Sequence, residues 1–240
     1  RRMIINTRPE VLSNKIISLC ADQKISITNA HLSEIQPLLI EEVLEKSKLE
    51  LSNINSYKNI IFNSQAAAMI GISILLNQTN IKIQDCNIFS IGSATKGLLL
   101  KQDINSVSPD EPSSQSLLKL ISEDYPGRNL IFCGENSNRY LQKNLNEDID
   151  EIICYKLIYL KFGLDKISSG QNIILIYNFL TLSFLLSNIN HRLLEDKIFI
   201  VASQRIKDKA KELIENEDLR IFIAKDPSDY SMLEEAKKFI

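Results

Sequence analysis

Short, unbroken apolar runs recur along this chain, and between them lie segments with apolar residues three and four apart. The runs are MIIN (3–6), ISIT (25–28), NIIF (59–62), NIFSI (87–91), NLIFC (129–133), IICYKLIYL (152–160), NIILIY (172–177), KIFIV (197–201) and RIFIA (220–224). Most are too short for a helix and too uniformly apolar to have one wet face. Strands buried on both faces belong to parallel sheets, where a crossover must carry the chain back before the next strand begins. Segments such as LLIEEVLEKSKLEL and RIKDKAKELIE show the ~3.6-residue period of crossover helices. The predicted class is α/β, a parallel sheet with helices on both faces.

The same set of units occurs twice. NIFSIGSATKGLLL (87–100) aligns with KIFIVASQRIKDKA (197–210), and PSSQSLL (112–118) with PSDYSML (227–233). NIIFNSQAA (59–67) has a looser partner in NIILIYNFLT (172–181), and RRMIINTRPE (1–10) has the layout of RNLIFCGENS (128–137). The copies are offset, because the strands that open the chain have counterparts that close its middle block. This predicts a discontinuous domain of residues 1–33 with 158–240, and an inserted domain of 38–154. The crossings at 34–37 and 155–157 are expected to pair as a two-stranded ladder, giving a hinge and a cleft.

Composition narrows the function. Hydrophobic content of 44%, charged content of 24% and a net charge of −2 suit a globular protein with a sizeable core and do not suit a nucleic-acid binder. No apolar run approaches the ~20 residues of a membrane helix, and no secretory leader pattern precedes the first strand, so a cytoplasmic, membrane-free protein is expected. The cysteines Cys20, Cys86, Cys133 and Cys154 form no CxxC pair and read as free thiols. His31 and His191 lack the spacing of a metal site or a nucleophile–base pair and read as packing or surface residues. The frequent Ile, Asn and Lys read as base bias.

The polar turns after the strands are the candidates for chemistry. SIGSATKG lacks the GxxxxGK order of a phosphate loop, because Lys96 precedes the second glycine. Gly92, Ser93, Ala94 and Thr95 still form a small-residue turn at a helix start, where backbone N–H groups can hold a carboxylate or phosphate. Its counterpart contributes Ser203, Gln204 and Arg205. Both turns are readable either as caps or as anion sites. In TRPE, Thr7 suits a cap, and Arg8 is either a surface residue or a carboxylate binder. NSQ, with Ser64, and ENSNR are further polar turns. Tyr155 and Tyr159 share a strand face by parity.

Taken in order, these turns form a recognisable set: strand-TRP, HLSEIQPL, a strand ending FNS, IGSAT, S-x-x-LL after a proline, GE followed by arginine, and a Tyr-Lys pair in a late crossing strand. The whole chain resembles the uroporphyrinogen-III synthase family. That resemblance implies a monomer of two flavodoxin-like domains joined by a two-stranded β-ladder. It also implies cofactor-free, metal-free cyclisation of hydroxymethylbilane, taken from hydroxymethylbilane synthase, with inversion of ring D through a spirocyclic pyrrolenine. Tyr155 matches the family's crossing-strand tyrosine, expected to protonate the leaving hydroxyl; an unperturbed phenol, titrating near ~10, holds its proton at neutral pH. Thr95, Ser64 and Arg8 match turn residues of the family, and Ser203 and Arg205 stand where many members have G-P-T-T. Asn178 and Cys133 depart from its usual serine and arginine. The competing readings are a non-catalytic two-domain binder of a small anion and a two-domain transferase, the latter without a nucleotide fingerprint.

Overall fold

A computed structural model describes residues 2–48, 56–146, 148–213 and 219–240. The C-terminal ends of two predicted helical segments, at 49–51 and 214–215, lie outside the described residues. The chain divides into two compact units, Arg1–Glu34 with Ile158–Ile240, and Ile35–Leu157.

The first unit opens with β1 (Met3–Asn6), α1 (Asn14–Asp22) and β2 (Ile27–Asn29), and the chain leaves it through β3 (Ser33–Pro37). The second unit runs through α2 (Ile40–Ser47), β4 (Asn59–Phe62), α3 (Gln65–Gln78), β5 (Asn87–Ser90) and α4 (Ser93–Leu100). It continues with α5 (Ser114–Asp124), β6 (Asn129–Gly134), α6 (Tyr140–Asn144) and β7 (Ile149–Tyr159). The first unit then resumes with α7 (Leu164–Ser168), β8 (Asn172–Ile176), α8 (Phe179–Asn188) and β9 (Ile198–Val201). It ends with α9 (Gln204–Leu213), β10 (Arg220–Ile223) and α10 (Asp229–Lys237).

Strand order follows the repeat. The first sheet is β10-β9-β8-β1-β2 and the second is β5-β4-β6-β7-β3. Superposing the repeated segments sets β9, β8, β1 and β2 on β5, β4, β6 and β7 in the same order. The place of β10 is marked in the second unit by a single parallel bridge from Phe89 to Val107, just ahead of the PSSQ turn. The pairs β1–β2, β1–β8, β8–β9, β9–β10, β4–β5, β4–β6 and β6–β7 are parallel. Strand β3 joins the second sheet beside β7. Leu160 N–H donates to Leu32 C=O and Leu38 N–H donates to Cys154 C=O, so the two crossings run in opposite directions.

Burial explains the topology. Every residue of β4, β6, β8 and β9 is buried. In the second unit alternate side chains enter different cores. Ile60, Phe62 and Phe132 pack with Ala67, Leu75 and Leu99 of α3 and α4; Ile61 and Ile131 pack with Leu117, Ile121 and Leu141 of α5 and α6. Two helix layers therefore cover the two sheet faces. No described helix is long and apolar enough to cross a membrane.

The asparagines that begin three strands of the second sheet are not merely a compositional habit. Asn59 Nδ2 donates to Asn129 Oδ1 (3.0 Å) and to Tyr125 C=O (2.8 Å), while Asn87 Nδ2 donates to Asn59 Oδ1 (3.0 Å). Asn59 and Asn129 are fully buried, and the register sets each beside its partner. This ladder satisfies polar groups at the N-terminal edge of the second sheet.

Asn59→Ala leaves buried acceptors without donors and should lower unfolding stability by about 1–3 kcal/mol in urea denaturation. A second expectation concerns pH. Burial raises all four thiols above their ordinary 9.0, Cys20 to about 11 and Cys154 to about 12. The unfolded chain then releases these protons first, so their contribution is complete below pH 9 and is lost as pH rises through the folded values. The Lys197 ammonium, lowered by its own burial, opposes this weakly. Urea midpoints should fall steadily from pH 9 to pH 11.

Candidate active site

In a parallel sheet, every helix that follows a strand begins at the same sheet edge, and its first N–H groups need acceptors. Several of the polar turns supply them. Ser64 Oγ accepts from Ala67 N–H (3.0 Å), and Asn178 Oδ1 accepts from Thr181 N–H (2.8 Å). Ser113 and Ser228, the repeated proline-serine positions, accept from Ser116 N–H (3.0 Å) and Ser231 N–H (3.2 Å). Asn178 thus does the capping work of the serine expected there.

The flavodoxin-like order places a switch point between β4 and β6 in the second unit and between β1 and β8 in the first, where ligands of such sheets bind. At the β4/β6 point the Tyr155 hydroxyl lies 3.0 Å from Ser64 Oγ. The two residues are distant in sequence and both are half-buried. Nearby, Asn63 Nδ2 donates to Ser137 Oγ (3.4 Å). Tyr159 does not share this environment. Its ring stacks on Phe184 (centroids 5.0 Å apart), and burial raises its phenol to about 12.

The IGSAT turn follows β5 in the same unit. Gly92 caps α4 without a side-chain hydrogen bond, and its backbone is extended (φ −175°), which any residue can adopt. Glycine is needed there because a Cβ would stand 2.8 Å from Pro112 Cβ. Ser93 and Ala94 are exposed, whereas Thr95 is 2% exposed and faces the core. What the turn presents to solvent is therefore backbone N–H and small side chains, with the Thr95 hydroxyl behind them.

The motif GE with its downstream arginine is held by ion pairs. Glu135 meets Lys46 (2.6 Å), and Arg139 Nε reaches both Glu151 oxygens (3.1 Å each). Cys133, where the family usually has arginine, is buried with Sγ 3.7 Å from Glu151 Oε2.

In the first unit, Arg8 is neither a surface cation nor an open carboxylate binder. Its Nη1 donates to Asp229 Oδ1 (2.9 Å), with side chains only 10% and 5% exposed, and its guanidinium lies over the Tyr177 ring (4.4 Å to the centroid). Tyr177 O–H donates to the same Asp229 oxygen (2.6 Å), and burial, with the adjacent carboxylate, pushes that phenol well up. His31 Nδ1 lies 2.6 Å from Arg8 C=O. Asp229 and Tyr177 escape a reading of the sequence by turns. The one available signal is that Asp229 stands where the other repeat has Ser114. Ser203 Oγ accepts weakly from Ile206 N–H (3.4 Å), Gln204 donates to Asp208 (2.6 Å), and Arg205 is exposed.

The family model described as uroporphyrinogen-III synthase HemD matches residues 32–213. A mutant uroporphyrinogen III synthase of the extremely thermophilic bacterium Thermus thermophilus shares the fold with a TM-score of 0.63 at 11% identity, over 99% of this chain and 98% of that one. Uroporphyrinogen-III synthetase of Helicobacter pylori 26695 does so with a TM-score of 0.63 at 14% identity, over 100% of both chains. Among curated proteins, no sequence matches this chain. At such identities the structural likeness is one of fold, and the family match carries the assignment. Since that match takes in the greater part of the sequence, including Ser64, the IGSAT turn and Tyr155, the chain belongs to the uroporphyrinogen-III synthase family.

Proposed function

We propose that this protein closes hydroxymethylbilane into uroporphyrinogen III, inverting ring D through a spirocyclic pyrrolenine. The observation that carries the reading is the family match together with the Tyr155–Ser64 pair at a sheet switch point. In this reading Tyr155 donates a proton to the leaving hydroxymethyl oxygen. The C–O bond breaks, water departs, and the pyrrole nitrogen's electron pair moves into the ring system. Ser64 already accepts the Ala67 N–H, so its own proton is free to support the phenol oxygen as negative charge develops. The substituted carbon of ring D then attacks the methylene so exposed, giving the spirocyclic pyrrolenine. Its bond to the original bridging methylene breaks, and that methylene bonds instead to the unsubstituted α-carbon of ring D. The proton lost from that carbon as the pyrrole rearomatises restores the phenol. The net change is loss of one water, the chemistry of a hydro-lyase.

The substrate carries eight carboxylates, whereas the protein has a net charge of −2. Local donors suit this task better than the overall field. We assign it to the first-turn amides of α4 at Gly92, Ser93, Ala94 and Thr95, and to Ser203, Gln204 and Arg205 at the start of α9. Arg8, engaged by Asp229, holds the β1 and β8 ends in place. We further read the protein as a cytoplasmic monomer without a cofactor, with domains 1–33 plus 158–240 and 38–154. It would receive its substrate from hydroxymethylbilane synthase.

Supplied with hydroxymethylbilane, the protein should yield the type III isomer after oxidation and chromatographic separation. Type I porphyrin alone, formed at the uncatalysed rate, overturns the reading. Tyr155→Phe should lower kcat on the order of 10²-fold while leaving the unfolding midpoint near wild type. Unchanged turnover would remove Tyr155 from the mechanism. Thr95→Ala should cost less than ~10²-fold, since the backbone donors of the turn remain; abolished activity in a folded variant would show that the hydroxyl is itself required.

A further inference from the structure

Tyr155 stands on β7, Ser64 follows β4, and β6 lies between these strands. Adjacent strands are ~4.8 Å apart, so a phenol from β7 that reaches the end of β4 must pass across the end of β6. The residue beneath it is Gly134. A Cβ at that position would stand 2.6 Å from Tyr155 Cζ, 2.7 Å from Cε2 and 2.9 Å from the hydroxyl oxygen. The backbone of Gly134 lies outside the left-handed region, so its conformation alone does not call for glycine.

The pairing of β6 with β7 is irregular at the same place. Phe132 and Cys133 stand opposite Ile152 and Ile153, but Gly134 stands opposite Tyr155. Cys154 is the extra residue, buried, with its Sγ 3.5 Å from Cys133 C=O. Glu135 N–H donates to Tyr155 C=O (2.8 Å), which closes the bulge. Side chains alternate along a strand, so in an unshifted register Cys154 would stand abreast of Gly134 and Tyr155 would point to the opposite face.

We propose that Gly134 and the β7 bulge at Cys154 together position Tyr155, the bulge aiming the phenol across β6 and the missing side chain letting it pass to Ser64. Gly134 is a positioning residue that acts only through Tyr155. Its effect on turnover rests on the reading of Tyr155 as proton donor; its effect on the ring does not.

The test is Gly134→Ala, alone and with Tyr155→Phe, measured by kcat, KM and the 19F resonance of fluorotyrosine placed at position 155. Gly134→Ala should shift the resonance and lower kcat on the order of 10²-fold with KM little changed. The double variant should be no slower than Tyr155→Phe. An unshifted resonance overturns the proposal, as does a double variant that loses the product of the two single effects. If Tyr155→Phe turns over like wild type, the donor reading fails and the resonance alone decides the positioning role. Stability offers a second measure should Gly134→Ala fold poorly. Its loss in unfolding midpoint should shrink in a Tyr155→Leu background, where the ring is gone, and an equal loss in both backgrounds overturns the proposal.

Discussion

The burial of both faces of the central strands is the constraint on which the rest of the structure depends. Strands such as β6 and β8, buried at every residue, can exist only with helices above and below and with their backbone groups paired sideways. Helical crossovers then return the chain so that the strands run parallel. The C-termini of the parallel strands and the helix starts that follow them fall on one edge of each sheet. The two edges acquire different chemistry as a consequence. At the N-terminal edge of the second sheet, the ladder of Asn87, Asn59 and Asn129 runs on into backbone carbonyls. At the other edge, short caps satisfy some of the helix N–H groups, and a turn such as 92–95 keeps its first amides near solvent.

That division suits the proposed reaction. Departure of the hydroxyl is driven largely by the electron-rich pyrrole, so the protein is asked mainly to bind carboxylates and to deliver one proton. Neutral amides and hydroxyls can do this without a strongly basic surface. Three of the charged groups near the strand ends are engaged elsewhere: Arg8 with Asp229, Arg139 with Glu151, Lys46 with Glu135. Of these, the Arg8–Asp229–Tyr177 group is the most enclosed. A buried pair of this kind adds definition to the β1 and β8 ends more securely than it adds stability, because desolvation offsets much of its attraction.

The strands were legible because burial on both faces writes an unbroken apolar run, a local signal. The repeat was legible because its units keep the same cap chemistry, proline-serine ahead of α5 and α10 being the clearest case. Tyr155 and Ser64 were singled out by resemblance to a family, but their meeting was not readable. They stand on strands separated by a third, and the bulge that aims Tyr155 leaves no mark in the apolar pattern of IICY. The partner of Arg8 was hidden for a related reason: the Asp229 carboxylate comes from the far end of the chain. The asparagines were taken for base bias because a ladder is visible only when the strands lie side by side.

By itself, then, the sequence determined the α/β class, the twofold repeat of strand, turn and helix, and which turns carry polar caps. These follow from side-chain periodicity and from hydrogen bonds that span a few residues. Only the tertiary structure decided that Tyr155 crosses Gly134 to reach Ser64, that Gly92 is glycine on account of Pro112, and that Arg8 is held by Asp229. Those outcomes depend on lateral strand order and register, where a single inserted residue turns a side chain to the other face.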